Sequence, residues 1–381
     1  MRVMKVVMTV SNPFKPDPRV YKEARSLVKH GYEVTIIAWD REGKYSKEEL
    51  FEGIKIKRIK LKSRYGNFLD FGLKLPLFYI KALVILLEED FDVIHTHDFD
   101  TALLGLFMKI LKGRRWIYDV HDLYFTYFSN KALRRIIKTF DILFAGYSDI
   151  VLVATQSLGK RYQGLREFYI ENGIHSEKIV TIWNVPCLKE FLNYEKLDLK
   201  KSKKITIGFI GSIRTLTNFV SLFEAIKHDP HLYKVIFVGN GKYLKKLRKI
   251  VENNYSQLDV EFIGHISYRL IPNYYKLCDL ILALYPPQEN VSRAIAIKVF
   301  ESAVLGIPCI VPAGTLMEDF VKEYRCGIAI KEEIENLREN IVKIKKIKFN
   351  PEIIRKRWNW QREERKLIKI YESIVRDTQK K

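Results

Sequence analysis

Long apolar runs are missing from this chain. The most apolar segment, residues 75–87, is interrupted by Lys81 and followed by Glu88-Glu89-Asp90, which is too short a stretch to cross a bilayer as a helix. The opening MRVMKVVMTVS has no small-residue cleavage site and reads as a first strand, not a signal peptide. Cysteine is scarce. Cys187, Cys278, Cys309 and Cys326 are the only four in 381 residues, and none lie in C-x-x-C spacing. That argues against a disulfide framework or a thiolate zinc site and suits a reducing interior. Acid is in deficit, with 66 Lys and Arg against 45 Asp and Glu, a net charge of +21. Such a field draws anions, whether nucleic acid, anionic lipid or phosphorylated substrate, without choosing among them. The G-x-G-x-x-G fingerprint is also absent: position 244, after Gly239-Asn240-Gly241, is Leu, and Gly208-Phe209-Ile210-Gly211 does not match either. A nicotinamide enzyme is therefore disfavoured.

What is present is an apolar fraction of 47%, enough for a globular protein, and a length comfortable for two domains. Strand 5–10, a proline-rich loop, a helix to about His30 and strand 33–38 make a β-loop-α-β opening, so a parallel sheet is expected. Residues 54–61, IKIKRIKL, read as a lysine-guarded edge strand. A helix is expected over 157–168, a linker over the lysine-rich 190–204, then a second series of strands and helices with a late helix over 332–345. The fold class is α/β.

The chain is organised around VSRAIAIKVFESAVLGIPCIV at 291–311. Ile297, Phe300 and Val304 share a helical face, with Lys298, Glu301 and Ser302 on the other. Gly306 stands at a left-handed C-cap and Pro308 ends the helix. A helix N-terminus with free N–H groups attracts phosphate. Lys298 adds a point charge, and the two oxygens of Glu301 suit a pair of neighbouring hydroxyls. Earlier, two strands end in His95-Thr96-His97-Asp98 and His121-Asp122, where parallel sheets gather ligand groups. H-x-H beside carboxylates also suits a metal, but a metal hydrolase needs further ligands at strand ends, and no clean set follows downstream.

Lys298, Phe300-Glu301, Gly306, Pro308 and Cys309-Ile310 match K-x-F/Y-E-x-x-x-x-G-x-P-V/C-I. This resembles the donor-site signature of the family-four glycosyltransferases, which have the two-domain GT-B fold. The stretch from Asp17 to Ile37 resembles the family's opening, and the two histidine strand ends resemble its D-x-x-H-x-H-D and Y-D-x-H-E/D segments. G-x-x-G-S-x-R at 208–214, V-G-N-G at 238–241 and F-x-G-H at 262–265 fall in the family's order. Two positions depart from it. Arg293 replaces a glutamate that touches the donor sugar, and Thr217 stands where a lysine is expected.

The resemblance implies two Rossmann-like domains facing across a cleft. These are an acceptor-side domain (1–187, with a returning helix at about 358–381) and a donor domain (188–357). It implies a retaining transfer from a nucleoside-diphosphate sugar to a glycan or lipid-linked acceptor, with no metal or cofactor. Glu301 would hold ribose, and Arg214 and Lys298 the diphosphate. Amides near Ala294 and Ile295 and the turns at Gly211 and Gly241 would line the donor site. His121 and His97 would be catalytic, and Arg19 and Arg293 would reach the diphosphate or sugar. The basic excess, with Phe125, Tyr127 and Phe128 after His121, fits a cytoplasmic protein peripheral to the anionic inner face of a membrane. Two other classes compete. One is a sugar-nucleotide epimerase or hydrolase on the same fold. The other is a non-catalytic anion or nucleic-acid binder, supported by charge alone; nucleic acid is not the expected partner.

Overall fold

The computed structural model describes residues 3–15, 17–64, 67–331 and 334–379. The expected helix start at Glu332 and the last two residues of the returning helix lie outside these. The chain divides into two compact units: residues 1–156, 165–184 and 362–381 form the first, and residues 157–164 and 185–361 the second.

The first unit contains strands β1 (Lys5–Val10), β2 (Glu33–Asp40), β3 (Glu48–Phe51), β4 (Ile54–Lys60), β5 (Val93–His97), β6 (Arg115–Val120), β7 (Ile150–Val153) and β8 (Ile179–Thr181). Its helices are α1 (Pro18–Lys29), α2 (Phe68–Glu88), α3 (Phe99–Lys112), α4 (Lys131–Tyr147) and α5 (Leu165–Glu171). The sheet order is β3-β4-β2-β1-β5-β6-β7-β8, parallel except for the β3–β4 hairpin. The chain winds outward from β1 to β2 and then returns to β5 on the other side. The C-terminal ends of β1 and β5 therefore flank a topological switch point, where α/β sheets bind ligands.

Local chemistry sets the element ends. Asp17 caps α1 by accepting from the Val20 N–H (3.2 Å), with Pro18 at the first helical position. Gly31 follows α1 at φ +85°, a left-handed position where glycine carries no steric penalty. The core is aromatic: Trp39 stacks on Phe78 at 4.9 Å and on Phe71 at 5.2 Å.

Two expectations are corrected. β4 is not the sheet edge. β3 pairs outside it, and Arg58 is buried with an ion pair to Glu49 on β3 (2.7 Å). The helix expected at 157–168 begins only at Leu165, whose N–H donates to Thr155 Oγ1 (3.0 Å), and the residues before it belong to the other unit.

The second unit contains α6 (Leu188–Leu192), β9 (Ile205–Ile210), α7 (Thr217–Ile226), β10 (Tyr233–Val238), α8 (Leu244–Asn254), β11 (Asp259–Gly264), α9 (Ile271–Leu277) and β12 (Leu280–Leu282). It continues with α10 (Glu289–Arg293), α11 (Ile297–Val304), β13 (Cys309–Pro312), α12 (Leu316–Tyr324), β14 (Gly327–Ile330), α13 (Ile334–Ile344) and α14 (Pro351–Arg357). The sheet runs β11-β10-β9-β12-β13-β14, all parallel, and its switch point lies between β9 and β12. Phe209, Phe219 and Phe237 meet edge to face at 4.7 and 5.0 Å in its core. The last helix, α15 (Trp360–Gln379), leaves this unit and packs in the first, where its Tyr371 is fully buried.

Helix α3 lies close on β6 at Gly105, where a Cβ would stand 2.0 Å from the Trp116 indole nitrogen. Gly72, on the outer side of α2, has nothing within 4 Å. In denaturant unfolding, Gly105→Ala should lose about 1–3 kcal/mol. Gly72→Ala should gain about 0.5–1 kcal/mol, because the change only removes backbone freedom from the unfolded chain.

Candidate active site

The switch point of the first unit holds a buried charge network centred on Asp119, near the end of β6. Arg19 of α1 forks onto its carboxylate, with Nη2 to Oδ1 at 2.6 Å and Nε to Oδ2 at 3.1 Å. Arg19 Nη1 donates to the Ile182 carbonyl (2.8 Å), and Nε lies 3.3 Å from Glu23. His97 Nδ1 meets Asp119 Oδ2 at 3.1 Å, and His121 Nε2 meets the same oxygen at 2.8 Å. Behind them His95 stacks on His97 at 4.4 Å, with its Nδ1 on the Tyr371 hydroxyl (2.9 Å).

The other ring nitrogen of His121, Nδ1, faces Asp98 Oδ2 at 3.3 Å, and its backbone N–H donates to Asp98 Oδ1 (2.9 Å). Asp98 adopts φ +62°, a strained value for a non-glycine residue and one often found at functional sites. Burial works against charge on His121, but Asp98 and Asp119 outweigh it and hold the imidazole well above its usual range. Arg19 and His121 hold Asp119 well below the carboxylate range despite burial. Burial and then the Asp119 charge push Glu23 up to about 8.

Held between two carboxylates, His121 favours its imidazolium form and is suited to offer positive charge more than to act as a base. His97 is buried (2% exposed) and its Nδ1 is engaged with Asp119, which it helps to orient. Arg19 is corrected: it is buried and committed to Asp119 and Ile182, so it does not reach a donor phosphate. Burying a guanidinium requires a fixed counter-charge, and Asp119 supplies it. Glu23, His95, His97 and Asp119 place one ligand atom each within 4.8 Å of one another, a donor set that would suit zinc. Arg19 and His121 already saturate Asp119 with positive charge, which disfavours a metal there.

The switch point of the second unit assembles most of the remaining candidates. Lys298, in the first turn of α11, is buried, and its Nζ lies 3.4 Å from the centre of the Phe209 ring and 5.5 Å from that of Tyr285. A Cβ on Gly211 would stand 3.4 Å from the same Nζ. Burial lowers the ammonium to about 7, with Glu301 opposing the shift and Arg214 adding to it. Arg214 itself is exposed in the turn after β9. Glu301 is buried, accepting from the Tyr268 hydroxyl at 2.8 Å and the Tyr275 hydroxyl at 2.6 Å, one on each oxygen.

Three donor-side expectations change. Helix α11 starts at Ile297, with Lys298 in its first turn as expected, but the segment before it is a short separate helix, broken off where the Ala294 N–H closes α10 on the Val291 carbonyl. The Ala294 amide is spent, Ile295 lies in the break, and the unpaired N–H groups of α11 begin at Ile297 and Lys298. A Cβ at Gly241 would lie 2.4 Å from the Ile213 backbone, so this glycine serves a close turn-on-turn contact. Arg293 Nη1 meets Gln163 Oε1 (3.2 Å) and the Gly164 carbonyl (3.3 Å), tying α10 to residues 157–164. Tyr268 and Tyr275 escaped the sequence reading, and nothing local marks them. Asp98 and Asp119 stood inside the two histidine motifs but were assigned no role.

Residues 19–185 match the model for Glycosyltransferase Family 4, and residues 193–366 the model for Glycosyl transferases group 1. The chain belongs to the group 1 glycosyltransferases. This glycosyltransferase is 24% identical over 250 residues to UDP-Gal:alpha-D-GlcNAc-diphosphoundecaprenol alpha-1,3-galactosyltransferase of Escherichia coli, spanning 61% of this chain and 60% of that enzyme. It is 23% identical to an uncharacterised glycosyltransferase of Methanocaldococcus jannaschii, over 77% of this chain and 76% of the other. Among solved structures it is similar to sucrose-phosphate synthase of Thermosynechococcus elongatus (TM-score 0.78, 13% identity, 98% and 100% of the two chains). It is also similar to HepE of Anabaena in complex with UDP and glucose (TM-score 0.71, 13% identity, 97% and 100%). These likenesses show the GT-B fold.

The raised His121 should appear directly in histidine-selective NMR. The imidazole should remain doubly protonated well above the ordinary range near 6.5, and Asp119→Asn should bring its titration back down. Because the folded value is raised, the stabilisation is complete below the unfolded value and fades as pH rises through the folded one. An ordinary titration in the wild-type protein would refute the two-carboxylate clamp.

Proposed function

We propose that this glycosyltransferase transfers a sugar from a nucleoside-diphosphate sugar to a glycan or lipid-linked acceptor, with retention of anomeric configuration and without a metal. The observation that carries the donor assignment is Lys298. It is a buried cation, lowered to about 7, over Gly211 at the switch point and one turn from Glu301. A buried ammonium that meets ring faces and an already engaged carboxylate is poised for an anion. A diphosphate would meet Lys298, Arg214 and the N–H groups of Ile297 and Lys298, while Glu301 would accept from two ribose hydroxyls.

The chemistry then needs charge stabilisation at the leaving group. The sugar C1–O bond to the diphosphate breaks, the acceptor oxygen bonds to C1 on the same face, and the acceptor proton passes to the departing phosphate oxygen. His121 is no base in this scheme. It contributes positive charge on the acceptor side. The E. coli relative is named for a nucleotide-sugar donor and a diphosphoundecaprenol acceptor, and HepE was solved with UDP-glucose. Both support these substrate classes, and a lipid-linked acceptor would place the enzyme at the cytoplasmic face of a membrane.

A panel of nucleoside diphosphates and nucleotide sugars, read by thermal shift and by turnover with and without lipid-linked acceptors, tests the reading. One nucleotide should stabilise the protein, and sugar should move only when acceptor is present, with the anomer retained by NMR. Release of sugar from donor alone would instead indicate an epimerase or hydrolase. Glu301→Gln should weaken nucleotide binding by about 1.5–3 kcal/mol, the value of a hydrogen bond to a charged group.

The Lys298 shift sets a pH dependence. The ammonium is charged below about 7 and neutral above, so nucleotide affinity should fall as pH rises from about 7 to about 9, and binding should take up a proton. Lys298→Met should bind more weakly with a flat profile. A flat profile in the wild-type enzyme would remove Lys298 from the diphosphate site.

A further inference from the structure

The basic excess expected to meet a membrane through Phe125, Tyr127 and Phe128 does not do so through those rings. Phe125 is buried and Phe128 packs against the core, which leaves only the Tyr127 ring exposed (37%), its hydroxyl donating to Asp122 (2.6 Å). The apolar surface lies elsewhere in the first unit. Helix α2 buries Phe71, Phe78, Ala82 and Leu86. Its opposite side is apolar as well: Leu69 and Leu73 are each 81% exposed, and Ile80, Val84 and Leu87 continue the stripe for the length of the helix. Helix α4 repeats the pattern, with Ile136, Phe140, Leu143 and Tyr147 exposed at helical spacing. Helix α3 packs against both and exposes Ile110 and Leu111 at its C-terminal end. Three adjacent helices on one face of the sheet thus leave aliphatic and aromatic side chains in solvent. A contiguous face of this kind marks an interaction surface.

The charges beside these stripes decide the partner. Helix α4 exposes Lys131 and Arg135, while its Arg134 and Lys138 lie over the Phe125 and Phe168 rings, and its one acid, Asp141, is buried under the hydroxyls of Tyr118 (2.5 Å) and Tyr169 (2.8 Å). On α2, Lys81 lies in the exposed stripe, and Asp70 is held by Lys74 at 2.8 Å. The acids at the end of α2, Glu88 to Asp90, come after the last apolar turn. A second copy of the chain would meet this face across a two-fold axis and set the basic α4 against a like surface, a contact that like charges oppose. A bilayer with anionic headgroups offers phosphates to the lysines and arginines and acyl chains to the leucines. No helix of the described residues is long and apolar enough to span a membrane, so the face would lie on the surface.

We infer that the α2–α4 face of the first unit docks on an anionic lipid bilayer. This extends the lipid-linked acceptor reading but can fail independently of it, because the surface needs no donor and no acceptor. The test is flotation of the full chain with vesicles of phosphatidylcholine alone or mixed with phosphatidylglycerol, with nucleotide stabilisation measured in parallel. The wild-type protein should float with the anionic vesicles and much less with the neutral ones. Leu73→Glu/Ile80→Glu should abolish flotation. Lys131→Ala and Arg135→Ala should each weaken it about fivefold. All the variants should keep wild-type nucleotide stabilisation, since none touches the donor site. Absence of flotation by the wild-type chain, or undiminished flotation of the Leu73/Ile80 variant, would overturn the inference. So would a wild-type dimer in sedimentation velocity that this variant converts to monomer, because the face would then be a subunit interface. Loss of nucleotide stabilisation in the wild-type protein would instead count against the donor reading.

Discussion

Asp119 holds the first unit's ligand-facing end together through charge. Its two oxygens receive Arg19 from α1, His97 from β5 and His121 just past its own strand. Removing one member of a buried ion pair strands its partner's charge in low dielectric, at a cost of about 3–5 kcal/mol. The cluster is therefore a fixed arrangement, with α1, β5 and β6 registered against one another at the switch point. The returning helix joins through the Tyr371 hydroxyl on His95. The strained backbone of Asp98 is tolerable in this frame because its N–H donates to the Asp119 carbonyl (2.8 Å) and its side chain clamps His121.

Much of this architecture was legible in the sequence, and each failure has a physical reason. Apolar runs marked most strands, because parallel strands are buried on both faces, and β5, β6, β9, β10 and β11 also end at or just before histidine or glycine, where such sheets present ligand groups. Asp17-Pro18 and Gly31 bounded α1 because capping is a local property. The short β3 was missed, since residues 48–51 carry two acids and two exposed apolar residues and pair only through the hairpin. Arg19 was misplaced because its partner lies 100 residues away, and nothing in the helix pattern distinguishes an arginine awaiting phosphate from one already paired. The tyrosines holding Glu301 were invisible for the same reason. The organising stretch misled in one respect. Lys298 and Glu301 were read as a polar face opposite the apolar one, yet from Lys298 to Val304 α11 is buried on every side.

Burial also separates two cations that look alike in sequence. Both Arg19 and Lys298 sit in the first turn of a helix, and both are buried. Arg19 keeps its charge because a carboxylate fork and a carbonyl meet its donors, and its value is raised despite desolvation. Lys298 has ring faces around it and a carboxylate already shared by two tyrosines, and desolvation wins. A compensated cation is part of the frame. An undercompensated one makes binding an anion favourable, because the incoming charge restores what burial removed.

The same reasoning covers the surface. A chain with a net charge of +21 has no need of exposed leucines for solubility and loses by having them, because each invites association. Lysines alone would account for solubility, and an apolar stripe alone would suit a subunit contact. Only where the two coincide does one kind of partner satisfy both, and on α4 the exposed Arg135 flanks the stripe that holds Ile136 and Phe140. A layered surface, anionic outside and apolar within, is complementary to that combination.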